Sequence, residues 1–262
     1  MFHGLEARAT ITANARHFRT CLKLHSIPHN VILMPAIRFD IISIGTLSRN
    51  ILWNEPQAVR TPHATTTLVR MGKRNILVDP GLPAAAIGAR LFERTGLRSE
   101  QIDTVFLTNF RPAHRGGLAL FTRAKVYVHE LEQQAVREQL TRVLGELPEE
   151  EDDEDRIRLT AELQLLDSCI AAPDHLAPGI DLFPLFGYTA GTCGLLLSMS
   201  TSTVLIAGDA VPTQDHFLAG QVLPDPYDLA GAKEALQEVY EIADIIVPGH
   251  DNVFTSPRSA GL

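Results

Sequence analysis

Cysteine is scarce in this chain: there are three in 262 residues, and no two of them form a Cys-x-x-Cys pair. Cys21, Cys169 and Cys193 are too few and too widely spaced for a disulfide framework or a cysteine-built zinc cluster, and they suit a reducing, cytoplasmic setting. Cys193 reads as a small buried thiol at the start of an apolar strand rather than as a nucleophile. An excess of positive charge is also missing, with 23 Lys and Arg against 31 Asp and Glu and a net charge of −8. Without a basic face, DNA or RNA is not an expected partner. The acidity is local, because seven consecutive acids, Glu149 through Asp155, account for nearly all of it and the balance without them is −1. That run follows the apolar pattern of Leu131, Ala135, Leu140, Val143 and Leu144, and it reads as a solvated loop between two helices. No apolar stretch is long enough to cross a bilayer. The oligomeric state is left open.

With 45% hydrophobic residues, the chain is long enough for one large domain. The first segment, residues 1–34, differs in character: it carries Arg8, Arg16, Arg19 and Lys23 against the single acid Glu6, with no uninterrupted apolar core for an export signal. It is expected to be a poorly structured extension or the product of an upstream start, since Met34 directly precedes the first strand of a domain expected over 35–262. In that domain Ile37, Phe39 and Ile41 alternate as in a half-buried strand. Residues 65–71 and 75–78 form a hairpin pair around Gly72. Ala84 to Thr95 is a helix stopped by Gly96, and 103–107 is a buried strand. A strand over 125–128, helices over 130–147 and 156–166, strands over 182–186, 194–200 and 203–207, a helix over 229–240 and a strand over 245–247 complete the order.

Chemistry concentrates where strands end. Val105-Phe-Leu-Thr-Asn109-Phe-Arg111-Pro-Ala113-His114-Arg-Gly-Gly117 leaves a buried strand and passes through a tight Gly116-Gly117 turn. Ile76-Leu-Val-Asp79-Pro-Gly81 precedes it, and Gly187-Tyr188-Thr-Ala-Gly-Thr192, Ile206-Ala-Gly-Asp209 and Val247-Pro-Gly-His250-Asp follow. In this order and spacing the segments resemble the metallo-β-lactamase superfamily from about Arg38 to Asn252. The resemblance implies an α/β fold, the αββα four-layer sandwich, and a metal-dependent hydrolase ancestry.

Carried over residue by residue, the resemblance implies an altered site. Where the family holds its first metal by the two histidines of His-x-His and a later loop histidine, this chain has Asn109, Arg111 and Tyr188. Where the second metal has Asp-His, a bridging Asp and a final His, it has Ala113, His114, Asp209 and His250. Asp79 and the turn Gly116-Gly117 take the supporting role. Two imidazoles and a carboxylate suit a single Zn, Mn or Fe(II) ion with an open position. Against this stands Arg111, since a guanidinium ~4 Å from another unit charge repels it by roughly 4 kcal/mol at an effective dielectric near 20.

The resemblance thus implies a hydrolase-family protein that has lost the first metal site and, with it, the normal dinuclear hydrolase activity, and two readings of what remains follow. In the first, one ion at His114, Asp209 and His250 serves hydrolysis of a small ester, thioester or lactone, with Asp209 and Tyr188 as candidate catalytic groups. In the second, no ion binds, Arg111 pairs with Asp209 in its place, and the protein is a pseudoenzyme that binds a ligand or partner. The other histidines read as surface or satisfied polar groups: His63 before a strand and able to face the pocket, His129 at a helix start, His175 and His216 in loops. Gly116-Gly117 is expected to open a helix whose first amides favour an anion.

Overall fold

Alternate residues of the central strands enter two different cores, and that alternation builds the layers. In the strand Thr66–Met71 (β2) Leu68 belongs to one core and Val69 to another, and in Arg74–Val78 (β3) Leu77 joins the first while Ile76 and Val78 join the second. Successive side chains of a strand leave opposite faces, so a strand that is apolar throughout must be covered on both. The computed structural model, which describes residues 35–147 and 154–259, shows what covers them.

The first sheet runs Ile37–Ser43 (β1), β2, β3, Thr104–Phe106 (β4), Lys125–Val128 (β5), Ile170–Ala171 (β6), with neighbours in that order. Its first three strands are antiparallel and the rest parallel. Ile87 and Leu91 of helix Ala84–Thr95 (α1) and Leu166 of helix Glu154–Asp167 (α4) pack on its outer face. Between them in sequence come the four-residue helix Pro112–Arg115 (α2) and the long helix Glu130–Glu146 (α3), which packs beside α4.

The second sheet runs Phe254–Thr255 (β12), Ile245–Pro248 (β11), Thr203–Gly208 (β10), Cys193–Ser198 (β9), Ile180–Pro184 (β8), His175–Ala177 (β7). Its β10 and β11 are parallel. Leu195, Leu197, Val204, Ile206 and Val247 share the inner core with Val69, Ile76, Val78 and Phe106 of the first sheet. Leu205, Ala207 and Ile246 leave the other face and meet Ala235, Leu236 and Val239 of helix Leu229–Ile242 (α6), with Phe217 of the short helix Gln214–Leu218 (α5). Helix, sheet, sheet, helix: this is the αββα sandwich expected from the sequence. Phe106 is wholly buried between the sheets, and its truncation to alanine would cost about 3–5 kcal/mol.

The punctuation residues act as their chemistry demands. Gly72 turns the β2–β3 hairpin at φ 60°, and Gly96 ends α1 at φ 71° with its N–H donating to Phe92 O, a conformation that costs a residue with a Cβ. Three features differ from expectation. The short strands β6, β7 and β12 are two- or three-residue edge segments with too little pattern to read, and β7 includes His175. His216 lies on α5, not in a loop. Gly116 follows α2 and Gly117 leads only into a 3-10 turn, Leu118–Leu120; with no long helix there is no summed dipole to favour an anion. These glycines are needed for close approach instead, because a Cβ on Gly116 would stand 2.4 Å from Gly81 O and one on Gly117 2.6 Å from Leu82 O.

Residues 1–34, where an extension or upstream start was expected, Cys21 within them, and the first five acids of the acidic run lie outside the described residues. The last two of that run, Glu154 and Asp155, stand in the first turn of α4, where acids suit the helix dipole, and not in the expected loop. Among the described residues no helix is long and apolar enough to cross a membrane.

Candidate metal centre

Four strand ends meet at one edge of the sandwich. From the first sheet, Asp79 directly follows β3 and β4 leads into the loop carrying Thr108, Asn109, Arg111 and His114; from the second, Asp209 directly follows β10 and His250 comes two residues after β11. Since β3 and β4 are parallel, as are β10 and β11, the loops at their C-terminal ends emerge together. One ligand atom from each of His114, Asp209 and His250 lies within 4.8 Å of the others, and all three residues are buried.

His114 Nε2 is 3.0 Å from Asp209 Oδ2, and His250 Nε2 is 2.9 Å from Asp209 Oδ1. The second contact lacks the alignment of a hydrogen bond, which leaves Oδ1 a buried oxygen with no hydrogen-bond donor. The opposite ring nitrogens are both held by acceptors. His114 Nδ1 is 3.1 Å from Thr108 Oγ1, its hydrogen-bond partner, and 3.0 Å from Asp79 Oδ2, to which that hydroxyl donates; His250 Nδ1 lies 3.0 Å from His63 O and 3.2 Å from Thr46 O. An acceptor at Nδ1 fixes the N–H there and leaves Nε2 to present a lone pair. Asn109 Nδ2 lies 3.3 Å from His114 Nε2 as a donor to one of these lone pairs, but two such lone pairs facing one buried carboxylate repel it, and protons on the rings or a cation among them relieve that repulsion. The donor set, two imidazoles and a carboxylate with an orphaned oxygen, fits a divalent transition-metal ion.

Asp79 reaches its place through a left-handed backbone, φ 49°. Its Oδ1 accepts from Thr108 N at 2.9 Å and its Oδ2 from Thr108 Oγ1 at 2.7 Å. Asp79 thereby fixes the start of the loop and, by taking the Thr108 hydroxyl proton, leaves Oγ1 to accept from His114 Nδ1.

The electrostatics follow from this packing. Burial disfavours the charged form of His114, but Asp209 and Asp79 on either side outweigh it and push its pKa up to about 10 in the absence of a cation. Burial also opposes ionisation of Asp209, and the two histidines overcome that and hold its carboxyl well below the usual range. A proton on His114 and a metal ion at Nε2 are alternatives for the same lone pair.

At the remaining positions the structure sorts the expected residues. Asn109 enters the centre: its Nδ2 donates to Asp209 Oδ2 at 2.9 Å and its Oδ1 accepts from Arg111 N at 2.9 Å. Ala113 contributes only its carbonyl, which accepts from Ala64 N. Tyr188 is buried, and burial with the nearby Asp209 charge pushes its phenol up to about 12. The expected Arg111–Asp209 ion pair does not form. Arg111 instead lies over the Tyr188 ring, with Cζ 4.3 Å from the centroid, and Asp209 takes its close contacts from Asn109, His114 and His250. A guanidinium stacks on a ring while keeping its edge hydrated, whereas pairing with a carboxylate already flanked by two imidazoles would require full desolvation.

His63 serves through its carbonyl and not through its ring, whose Nε2 is 3.1 Å from Ile44 O. His129 caps α3, accepting from Leu131 N, and His175 pairs with Asp181. His216 is wholly buried with Nδ1 2.8 Å from Thr213 Oγ1 and its Nε2 without a hydrogen-bond partner; burial, with the charge of His250, lowers its pKa despite Asp215. Sequence reasoning missed Glu132. Its carboxylate is buried in the first turn of α3, where it accepts from Phe110 N, Thr189 Oγ1 and Gly191 N, tying the His114 loop to the Tyr188 loop. An acid near a helix start usually reads as a solvated dipole partner, so no local signal marked it.

The layers and the strand-end cluster together define a metallo-hydrolase type of protein. The chain belongs to the metallo-beta-lactamase superfamily, whose family pattern it matches over residues 60–250. Solved structures agree in fold. A probable metal-dependent hydrolase from Staphylococcus aureus superposes with a TM-score of 0.62 at 16% identity, over 83% of this chain and 90% of that one. A Thermotoga maritima protein assigned to the metallo-beta-lactamases gives 0.61 at 19%, over 84% and 99%. AidC, a dizinc quorum-quenching lactonase in complex with a product, gives 0.56 at 15%, over 79% and 81%. No curated protein matches the chain.

Proposed function

We propose that this chain is a mononuclear metal-dependent hydrolase of a small ester, thioester or lactone, and that the first metal site of the family pattern has been lost at Asn109, Arg111 and Tyr188. The observation that carries the reading is the pair of imidazole Nε2 atoms converging on Asp209 while both Nδ1 atoms are committed to acceptors. His114, Asp209 and His250 would hold one Zn, Mn or Fe(II) ion, with the protein supplying three ligands as catalytic sites do. When bound, such an ion supplies Lewis acidity and lowers the pKa of water.

The residues of the chain divide the remaining work. The Thr108 hydroxyl, held by Asp79, and the carbonyls of Thr46 and His63 keep the two imidazoles in the ligating tautomer. Asn109 steadies Asp209 by donating to Oδ2. Tyr188, whose phenol stays protonated at any working pH, is a neutral donor for an oxyanion developing on the substrate. Ala113 offers no carboxylate to orient a nucleophile, so turnover should be slower than a site with the full family pattern would allow. The relatives lend the substrate class: AidC is a lactonase.

The test is hydrolysis of a panel of a p-nitrophenyl ester, an acyl thioester and a γ-lactone, each with and without a free carboxylate, by protein loaded with zinc, manganese or iron(II). We expect turnover of at least one class that is lost with chelator, restored by metal and abolished in Asp209→Ala. Turnover that survives chelation and Asp209→Ala would overturn the mechanism, and no turnover by metal-loaded protein would overturn the hydrolase reading.

A further inference from the structure

We infer that Arg111, laid flat on Tyr188 beside the His114–Asp209–His250 centre, is a carboxylate receptor, and that the small molecule this site accepts carries a free carboxylate. The inference rests on the preceding section only in calling that molecule the substrate; the binding itself stands on the geometry of Arg111.

That geometry has three parts. First, the guanidinium is oriented but unspent. Its Cζ is 4.3 Å from the Tyr188 centroid, and among the described residues it has no carboxylate partner, whereas Arg60, Arg70 and Arg115 each reach one. A stacked guanidinium has its face satisfied and its N–H edge free, the geometry for a bidentate bond to a planar carboxylate.

Second, the platform is fixed. The Tyr188 ring is buried, its carbonyl accepts from Tyr227 N, and Gly187 before it takes φ 130° where a Cβ would strike the backbone of Ala232. At the other end Arg111 N donates to Asn109 Oδ1, and the Asn109 amide is hydrogen-bonded to Asp209. The exposed side chain of Arg111 thus rises from a backbone tied into the buried centre.

Third, the carboxylate already in the centre is satisfied without Arg111. The charge of Asp209 is met at close range by His114, His250 and Asn109, and position 113, two residues on, is alanine and has no carboxylate to offer. A single guanidinium in a neighbourhood that includes Asp209 and Asp225, both of which act on Tyr188, suits one carboxylate better than a dianionic phosphate.

The experiment is calorimetric titration of the full chain with succinate, succinamide and inorganic phosphate, on wild type, Arg111→Gln and Arg111→Lys. A carboxylate can also ligate a metal, so each titration is run on chelator-treated and on zinc-loaded protein. In both forms we expect succinate to bind wild type at least about tenfold more tightly than it binds Arg111→Gln, equivalent to roughly 1.4 kcal/mol, with Arg111→Lys between them. Succinamide should bind about tenfold more weakly than succinate, and phosphate more weakly as well. The inference is overturned if wild type does not bind succinate, if Arg111→Gln binds it equally well, if the diamide matches the diacid, or if phosphate is preferred. Because the chelator-treated arm needs no metal, failure of the metal-hydrolase reading and failure of this inference give different results.

Discussion

His250 Nε2 stands 2.9 Å from Asp209 Oδ1, yet the two are not aligned as donor and acceptor. A hydrogen bond needs that alignment; a shared cation needs only that the ligand atoms converge. Asp209 Oδ2 is meanwhile 3.0 Å from His114 Nε2, so the two carboxylate oxygens engage one imidazole each. The supports behind the rings matter as much as the ring atoms, because they decide which nitrogen carries the proton.

Asp79 is the support most easily tested. Replacing it by asparagine keeps the shape but removes the charge that faces His114 Nδ1 at 3.0 Å and accepts from Thr108. Asp79→Asn should lower metal affinity about 10–100-fold without changing the one-ion stoichiometry. A competition titration against a chromophoric chelator reads this directly, and unchanged affinity would remove Asp79 from the account.

Glu132 makes a prediction about stability. Its buried carboxylate accepts from Phe110 N, Thr189 Oγ1 and Gly191 N. Glu132→Ala should cost about 3 kcal/mol or more, since each stranded buried donor costs roughly 1–3 kcal/mol. Urea denaturation should show a lower midpoint at an unchanged slope, and a loss within 0.5 kcal/mol would mean that the two loops hold each other without it.

Most of this architecture could be read from the chain. The apolar runs of β2, β3, β4, β9 and β10 announce strands buried on both faces, and Gly96 marks the end of α1 because only a left-handed residue stops a helix there cheaply. Asp79, His114, Asp209 and His250 stand at strand ends in an order that carries the family resemblance. Three things were not legible. The partner of Arg111 depends on whether a ring or a carboxylate is nearer in space, which spacing does not encode. Glu132 is buried by two loops distant in sequence. The grip on His250 Nδ1 comes from the backbone carbonyls of Thr46 and His63, and any residue type supplies a carbonyl.

The cysteines yield a prediction from acidity alone. Burial pushes the Cys193 thiol up to about 12 and the Cys169 thiol up to about 11. Both groups therefore remain neutral thiols at pH 8, and the thiolate is the reactive form. Iodoacetamide at pH 8 followed by peptide mapping should leave both unmodified in native protein and alkylate both in urea. Rapid native labelling of Cys193 would reopen it as a nucleophile.

The central claim is that His114, Asp209 and His250 form a one-metal centre. Elemental analysis of protein purified without a metal-affinity tag, before and after chelator and with His250→Ala alongside, tests it most directly. Wild type should hold about one equivalent of a transition metal, removable by chelator, regained on adding zinc and absent from the variant. Well-folded wild type that takes up no zinc, manganese or iron(II) when each is supplied would contradict it and leave a protonated His114 as the partner of Asp209.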